Sequence, residues 1–384
     1  MYLFFDRLLK GVNRRLGYLY WTRINAGNSI QYLYKKSKRV FDDLPIAFKN
    51  NTYSGSIGLD SKKCSLQEEY VVEINDVFVE PSRGLGIVGI NKVVDQTALW
   101  PGPQLPYVIP YITNRWNAKK IKQAIAYDAY VSQNYYHHLL NGVNSIHMLE
   151  KVDLPNNIPF LVSRRVFEHK YFQYLYRRSD KFRGLNWLVQ EPDEWYKVEK
   201  LYRLQCVHFD KEPWLKTRQL YNLPPRKCFR KVFLSRDAKR FGRGLANEEE
   251  VSRMLASYGF ETVYAENLTM EEQTELFQTT KYLVALHGAG LVQELFMDHE
   301  NAHIIEVMPQ DYMPSFYYWL AYTLGVKYYD VVIGGGLNKE NCYHLDLAVL
   351  QEAVDKMLFF ESEYKMYGNF LMKSPLKNDG LFPK

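Results

Sequence analysis

Four cysteines, Cys64, Cys206, Cys228 and Cys342, are all that the 384 residues contain, and none stand in a C-x-x-C pair. Spacing this wide excludes a disulfide framework and a structural zinc knuckle, and it fits a chain kept in a reducing compartment. No apolar run reaches the ~18 residues of a membrane-spanning helix, the longest candidate being the aromatic segment from Phe316 to Val326. The opening residues lack the layout of a secretory signal, because Arg7, Lys10, Arg14 and Arg15 interrupt what would be its apolar core. A cytoplasmic location is the expectation.

Charge of one sign is scarce outside the start of the chain. The net charge is +6, but residues 1–40 carry nine Lys or Arg against Asp6 alone, so this segment holds +8 and the remainder −2. A nearly neutral body excludes a nucleic-acid-binding surface over the whole protein. Within the basic segment Phe5, Leu9, Val12, Leu16 and Leu19 share one helical stripe, with Arg7, Lys10 and Arg14 opposite. The pattern suits a helix on an anionic membrane face, peripheral to the inner side, and suits equally a helix packed on its own domain. Gly11 and Gly17 weaken both versions.

What the chain has in quantity is hydrophobic residues, 47% of the total, enough for two domains with proper cores. Residues 1–65 read as a basic helical segment, 66–222 as an N-terminal α/β domain, 226–345 as a C-terminal α/β domain and 346–384 as a last helix and tail. The break at Leu223-Pro224-Pro225-Arg226 serves as the linker.

The C-terminal domain is the more regular. Strands 231–235, 260–264, 282–286, 303–307 and 327–333 alternate with helices 248–258, 270–278, 291–297, 315–324 and 347–360. Asn247 is expected to cap the first helix, and Thr269 with Glu272 the second as a capping box. Five βα units in a row call for a doubly wound, mainly parallel sheet, whose ligands sit beyond the carboxyl ends of the strands. At one such end stands His287-Gly288-Ala289-Gly290, a small-residue turn that points backbone N–H groups and the start of a helix at one spot, a plausible diphosphate seat. Ser235, Arg236, Arg240 and Arg243, then Asn247 and Glu248, follow the first strand and border the same crevice, where guanidinium forks could hold phosphate oxygens.

The N-terminal half reads less clearly. Residues 70–99 are β-rich, 118–130 read as a helix running into a strand, and Asn134 to Asn141 open a helix that continues through Leu149. Gly84 to Gly89 spell G-x-G-x-x-G, but Ile87-Val88 continues as strand where the dinucleotide fingerprint needs a helix. A β-hairpin turn is expected there and a nicotinamide enzyme is not. His299-Glu300-Asn301-Ala302-His303 matches H-E-x-x-H, whose chemistry needs both histidines on one helical face. Here it fills a polar connection and runs into a strand, so no zinc site is expected. Phe316-Tyr317-Tyr318-Trp319, at helical spacing beside a sheet, reads as core rather than sugar platform.

Taken together, S-R-(x)3-R-x-x-R-(x)3-N-E from Ser235, E-x-L-T-x-E-E-Q from Glu266, H-G-A-G-L from His287 and I-I-E-V-x-P from Ile304 resemble glycosyltransferase family 61. That family includes bacterial capsular-polysaccharide transferases, plant xylan-decorating enzymes and eukaryotic O-linked N-acetylglucosaminyltransferases. The likeness covers roughly residues 70–365 and includes, more loosely, the Asn134-Tyr135-Tyr136-His137 segment. It implies a GT-B-like fold, two Rossmann-like doubly wound domains facing a cleft, with the acceptor on the N-terminal side and the nucleotide sugar on the C-terminal side. It further implies an inverting, metal-independent transfer to an oligosaccharide or lipid-linked glycan acceptor, with no cofactor besides the nucleotide-sugar donor. The absence of a D-x-D pair agrees with that. The chain departs from the family pattern at Asn141, where an acid is frequent, and at Gln293, where an asparagine is. On this reading His137 is the base, Arg236, Arg243, His287, Gly288, Ala289 and Gly290 hold the donor diphosphate, and Glu306 contacts the ribose. A transferase-like protein that binds nucleotide sugar or glycan without turnover, within an assembly complex, is the rival reading.

Overall fold

A computed structural model describes residues 20–24, 27–39, 66–81, 84–97, 106, 108–127, 134–207, 210–238 and 242–371, with side chains described up to residue 360. The amphipathic stripe expected at residues 5–19 lies outside the described residues, as does Arg240. No helix among the described residues is long and apolar enough to cross a membrane.

The chain forms a mixed α/β structure around two large sheets. The C-terminal sheet contains β10 (Arg230–Ser235), β12 (Glu261–Tyr264), β13 (Thr280–Leu286), β14 (His303–Pro309) and β15 (Tyr328–Gly334), in the order β12-β10-β13-β14-β15 and parallel throughout. Alternate residues of each strand serve opposite faces. Val284, Leu286, Ile305 and Val307 pack with α7 (Glu248–Ser257) and α10 (Leu347–Leu371). On the other face Leu283, Ala285 and Ile304 pack with α8 (Met270–Thr279), the 3₁₀ helix Ala289–Phe296 and α9 (Phe316–Leu324). This is a doubly wound sheet, and its strand order reverses between β10 and β13, which opens a crevice beyond their carboxyl ends.

Helix starts follow the sequence in one case and depart in another. Thr269 and Glu272 form the expected reciprocal capping box on α8. Asn247 precedes α7 as expected, but its side chain does not cap the helix. It bonds instead to the backbone N–H and C=O of Leu345, tying α7 to the chain entering α10.

The N-terminal sheet departs from the expected doubly wound form. It is mixed: β6 (Lys119–Ala126), β7 (Phe160–Ser163), β8 (Trp187–Gln190) and β9 (Tyr196–Gln205) run parallel, while β2 (Ile30–Arg39), β3 (Leu66–Val79), β4 (Gly86–Val88) and β5 (Lys92–Val94) are antiparallel to their neighbours in sequence. The short parallel strand β1 (Thr22–Ile24) closes its edge on β5. The cause is the hairpin chemistry of the G-x-G-x-x-G stretch. Gly84 and Gly89 adopt φ of 68° and 66°, a region that favours glycine, in the two turns that flank β4. Residues 119–126, within the stretch expected as a helix running into a strand, are strand throughout and form β6, because Ala124, Ile125 and Ala126 are inserted between β7 and β9.

One continuous apolar core joins the two sheets. It runs from Ile125, Phe160 and Tyr202 through α4 (Lys170–Arg178) to Phe277, Phe296 and Tyr318. At the expected linker Tyr221 is buried 4.9 Å from the Phe296 ring, and Gln278 Nε2 donates to the Pro224 carbonyl.

Candidate functional site

The crevice at the strand-order reversal collects the residues that follow β10, β13, β14 and β15. Arg236 leaves β10 and donates from Nη1 to the His287 carbonyl at 2.7 Å, tying the end of β10 to the turn after β13. Gly288 makes this approach possible, since a Cβ there would sit 3.0 Å from Arg236 Nη1. Gly290 is under no such pressure: a Cβ there would meet only Leu234 Cδ2, at 3.9 Å. The turn is closed by Leu291 N–H donating to Gly288 O at 3.0 Å and leads into the 3₁₀ helix, in place of the regular helix expected.

Arg243 reaches the same place from a different direction. It adopts a left-handed φ of 56°, costly for a residue with a side chain, and is held there by its N–H donating to Asn341 O at 2.6 Å. Gly242, at φ 63°, packs so closely on Asn341 that a Cβ would stand 2.0 Å from its Nδ2. The guanidinium lies 4.5 Å over the Tyr312 ring, and its Nη1 is buried with no hydrogen-bond partner among the described residues. Burial, and after it the neighbouring Arg243, pushes the Arg236 guanidinium below its ordinary pKa. Two like charges held together and partly desolvated form a seat for an anion.

His287 is buried, and its Nδ1 lies 2.6 Å from Glu306 Oε1. The other oxygen of Glu306 accepts from the Tyr329 hydroxyl at 2.7 Å, and the Glu306 side chain has no exposed surface. This corrects the ribose contact expected of Glu306. In a fully buried strand its carboxylate falls on the packed face with Ile304 and Met308, where it orients the imidazole.

His137 sits at the start of a helical run over 135–151, α2, whose first turn is capped by Asn134 Oδ1 on Tyr136 N–H at 3.0 Å and which passes through a π-helical stretch, His138–Val143. Its Nδ1 lies 2.9 Å from Asn141 Oδ1. The next-door Tyr136 ring packs 5.4 Å from Phe316 and 5.5 Å from Tyr317, and Tyr317 lies 5.1 Å from the His287 ring. The aromatic segment is therefore core, as expected, but Tyr317 also bridges the two histidine-bearing elements.

Several residues at the site had no role in the sequence reading. Tyr312 is visible only through its contacts with Arg243 and His287. Glu294 is wholly buried in the 289–296 helix, and neither carboxyl oxygen has a hydrogen-bond partner among the described residues. Burial, then the nearby Glu306, holds its pKa well above the usual carboxylate range. Glu266 Oε1 accepts the Asp237 N–H at 2.6 Å. Its place at the head of the E-x-L-T-x-E-E-Q stretch is its only signal in the sequence.

The H-E-x-x-H geometry is absent, as expected from its context. His303 opens β14 and bonds through Nδ1 to Asn301 O, whereas His299 Nε2 lies 3.0 Å from Glu294 O.

A family model, Glycosyltransferase 61, matches residues 107–305, just over half of the chain. No curated protein matches the chain significantly.

Proposed function

Since the chain belongs to glycosyltransferase family 61, we propose that it transfers a sugar, with inversion, from a nucleotide-sugar donor to a glycan acceptor. The observation that carries this reading is the convergence of Arg236, Arg243 and the Gly288–Gly290 turn at the strand-order reversal, with the buried Arg243 Nη1 left without a hydrogen-bond partner among the described residues. Such a seat neutralises a diphosphate as the anomeric bond breaks, where developing charge needs fixed positive partners. With two guanidinium groups in that place, no metal ion is required by the scheme and none is assigned.

Inverting transfer also needs a base on the acceptor side. His137 takes that part, because α2 brings it to the aromatic junction with the donor turn. Attack by the acceptor oxygen forms the new glycosidic bond, the bond to the donor phosphate breaks, and the hydroxyl proton passes to the imidazole. His287, oriented by Glu306 and Tyr329, steadies the phosphate turn.

The two-domain GT-B arrangement, with the acceptor bound by residues 66–222 and the donor by 226–345, belongs to this proposal. So do surface-polysaccharide synthesis, a cytoplasmic site and contact of residues 1–40 with an anionic membrane. The inactive binding protein remains the second reading, favoured by an amide, Asn141, standing beside His137 where an acid is frequent in the family. Incubating the protein with a panel of nucleotide sugars and following slow hydrolysis separates the two. Turnover of one donor supports the enzyme, and tight binding without turnover supports the rival.

A further inference from the structure

We infer that Glu266 is the carboxylate that binds the ribose diol of the donor nucleotide. The inference rests on the donor reading above and names the partner of the sugar half of the nucleotide, which Glu306 cannot be. Besides Glu294, which is wholly buried, three glutamates border or underlie the crevice. Glu306 is fully buried with both oxygens engaged. Glu248 receives the hydroxyls of Ser235 and Tyr264 on one oxygen, Oε1. Glu266 differs from both.

It stands two residues past the end of β12, the strand beside β10 on the side away from β13. In doubly wound sheets that bind nucleotides, the phosphates sit beyond the first strand, and an acid at the end of the neighbouring strand takes the ribose hydroxyls. β10 and β12 hold those two positions here, and Arg236 at the end of β10 lies within electrostatic reach of Glu266. The Glu266 side chain is half-exposed. One oxygen is fixed by the Asp237 N–H, and the other accepts no hydrogen bond among the described residues. A carboxylate oriented in this way and open on one side suits a vicinal diol, whose O–H groups donate to an ionised acceptor.

Glu266→Gln is the informative substitution, because the amide oxygen can still accept from Asp237 N–H and keep the loop in place. Calorimetric titration with inorganic pyrophosphate, with UDP, GDP and CDP, and with the 2′-deoxy form of the tightest of these, separates the layers of the argument. The wild type should bind one nucleoside diphosphate more tightly than pyrophosphate and should lose roughly tenfold or more on removal of the 2′-hydroxyl. Glu266→Gln should bind that nucleotide correspondingly more weakly and should no longer distinguish it from its deoxy form. Its pyrophosphate affinity should be unchanged or tighter, since a negative charge near Arg236 is gone. A merely structural role for Glu266 would weaken all ligands together. Equal ribose discrimination in the variant and the wild type, or none in the wild type, overturns the inference while leaving the anion seat intact. Failure of the wild type to bind pyrophosphate or any of the nucleotides overturns the donor reading itself.

Discussion

The two sides of the site are built on opposite principles. On the C-terminal side Arg236 is anchored on a backbone carbonyl, His287 on Glu306 and Glu306 on Tyr329. On the N-terminal side His137 shares an amide one turn along its own helix, at a π-helical stretch where the ladder is irregular. On the proposal above, the C-terminal side is thus preorganised for charge at the donor diphosphate, and the N-terminal side carries the base. The lesson is that the two halves should fail differently when disturbed.

Removing the proposed base should have the largest effect on transfer. His137→Ala is expected to lower kcat for transfer by about 10²- to 10⁴-fold while leaving donor affinity and donor hydrolysis in place, measured by paired assays with and without acceptor. If hydrolysis falls in parallel, the division into two sides is wrong. Arg236→Ala should instead reduce hydrolysis and transfer alike, by roughly 10²- to 10³-fold, because the departing diphosphate loses its partner in both. An Arg236→Ala enzyme that hydrolyses donor at the wild-type rate would remove Arg236 from the scheme.

The comparison sharpens at the junction through Glu294. Its raised pKa means that the carboxylic acid stays protonated when folded and ionises readily when unfolded. Its favourable contribution is therefore complete below the unfolded value near 4.5 and is lost as pH rises above it. Glu294→Met should stabilise the protein at neutral pH by roughly 1–3 kcal/mol. The gain in Tm should shrink as pH falls toward 4.5, and a pH-independent gain would show that the acid is not kept neutral.

Buried histidines give the smallest effect per residue and the opposite sign. Burial lowers His147, His299 and His303 to about 4, so they remain neutral when folded and protonate near 6.5 when unfolded. Their contribution is present above the unfolded value and is lost as pH falls from there toward 4. His299→Gln should flatten that acid limb of a Tm–pH curve, and an unchanged slope would contradict the assignment.

The same contrast governs what was legible in the sequence. The C-terminal strands could be read because a parallel sheet covered on both faces leaves unbroken apolar runs such as Tyr282 to Leu286. Arg236 and the His287 turn followed, since both leave the carboxyl ends of those strands. β6 was hidden, because its first residues, Lys119, Lys120 and Lys122, are exposed and mimic a polar helix face. Glu306 was misassigned because a motif gives a residue's letter and not its burial. A glutamate inside an otherwise apolar strand was the available warning that its partner lay in the core. Tyr312, Tyr317 and the β11–β16 pairing (Gly244–Leu245 with Cys342–Tyr343), which helps hold Arg243, join segments too distant in sequence for any local pattern to show.

On the proposal above, a nucleoside diphosphate rests on the Gly288–Gly290 turn between Arg236 and Arg243. A crystal structure of the protein with the nucleoside diphosphate of its donor tests it most directly. Phosphate oxygens are expected within hydrogen-bonding distance of both guanidinium groups and of the turn's backbone N–H groups. Diphosphate bound away from the carboxyl ends of β10 and β13 would contradict it.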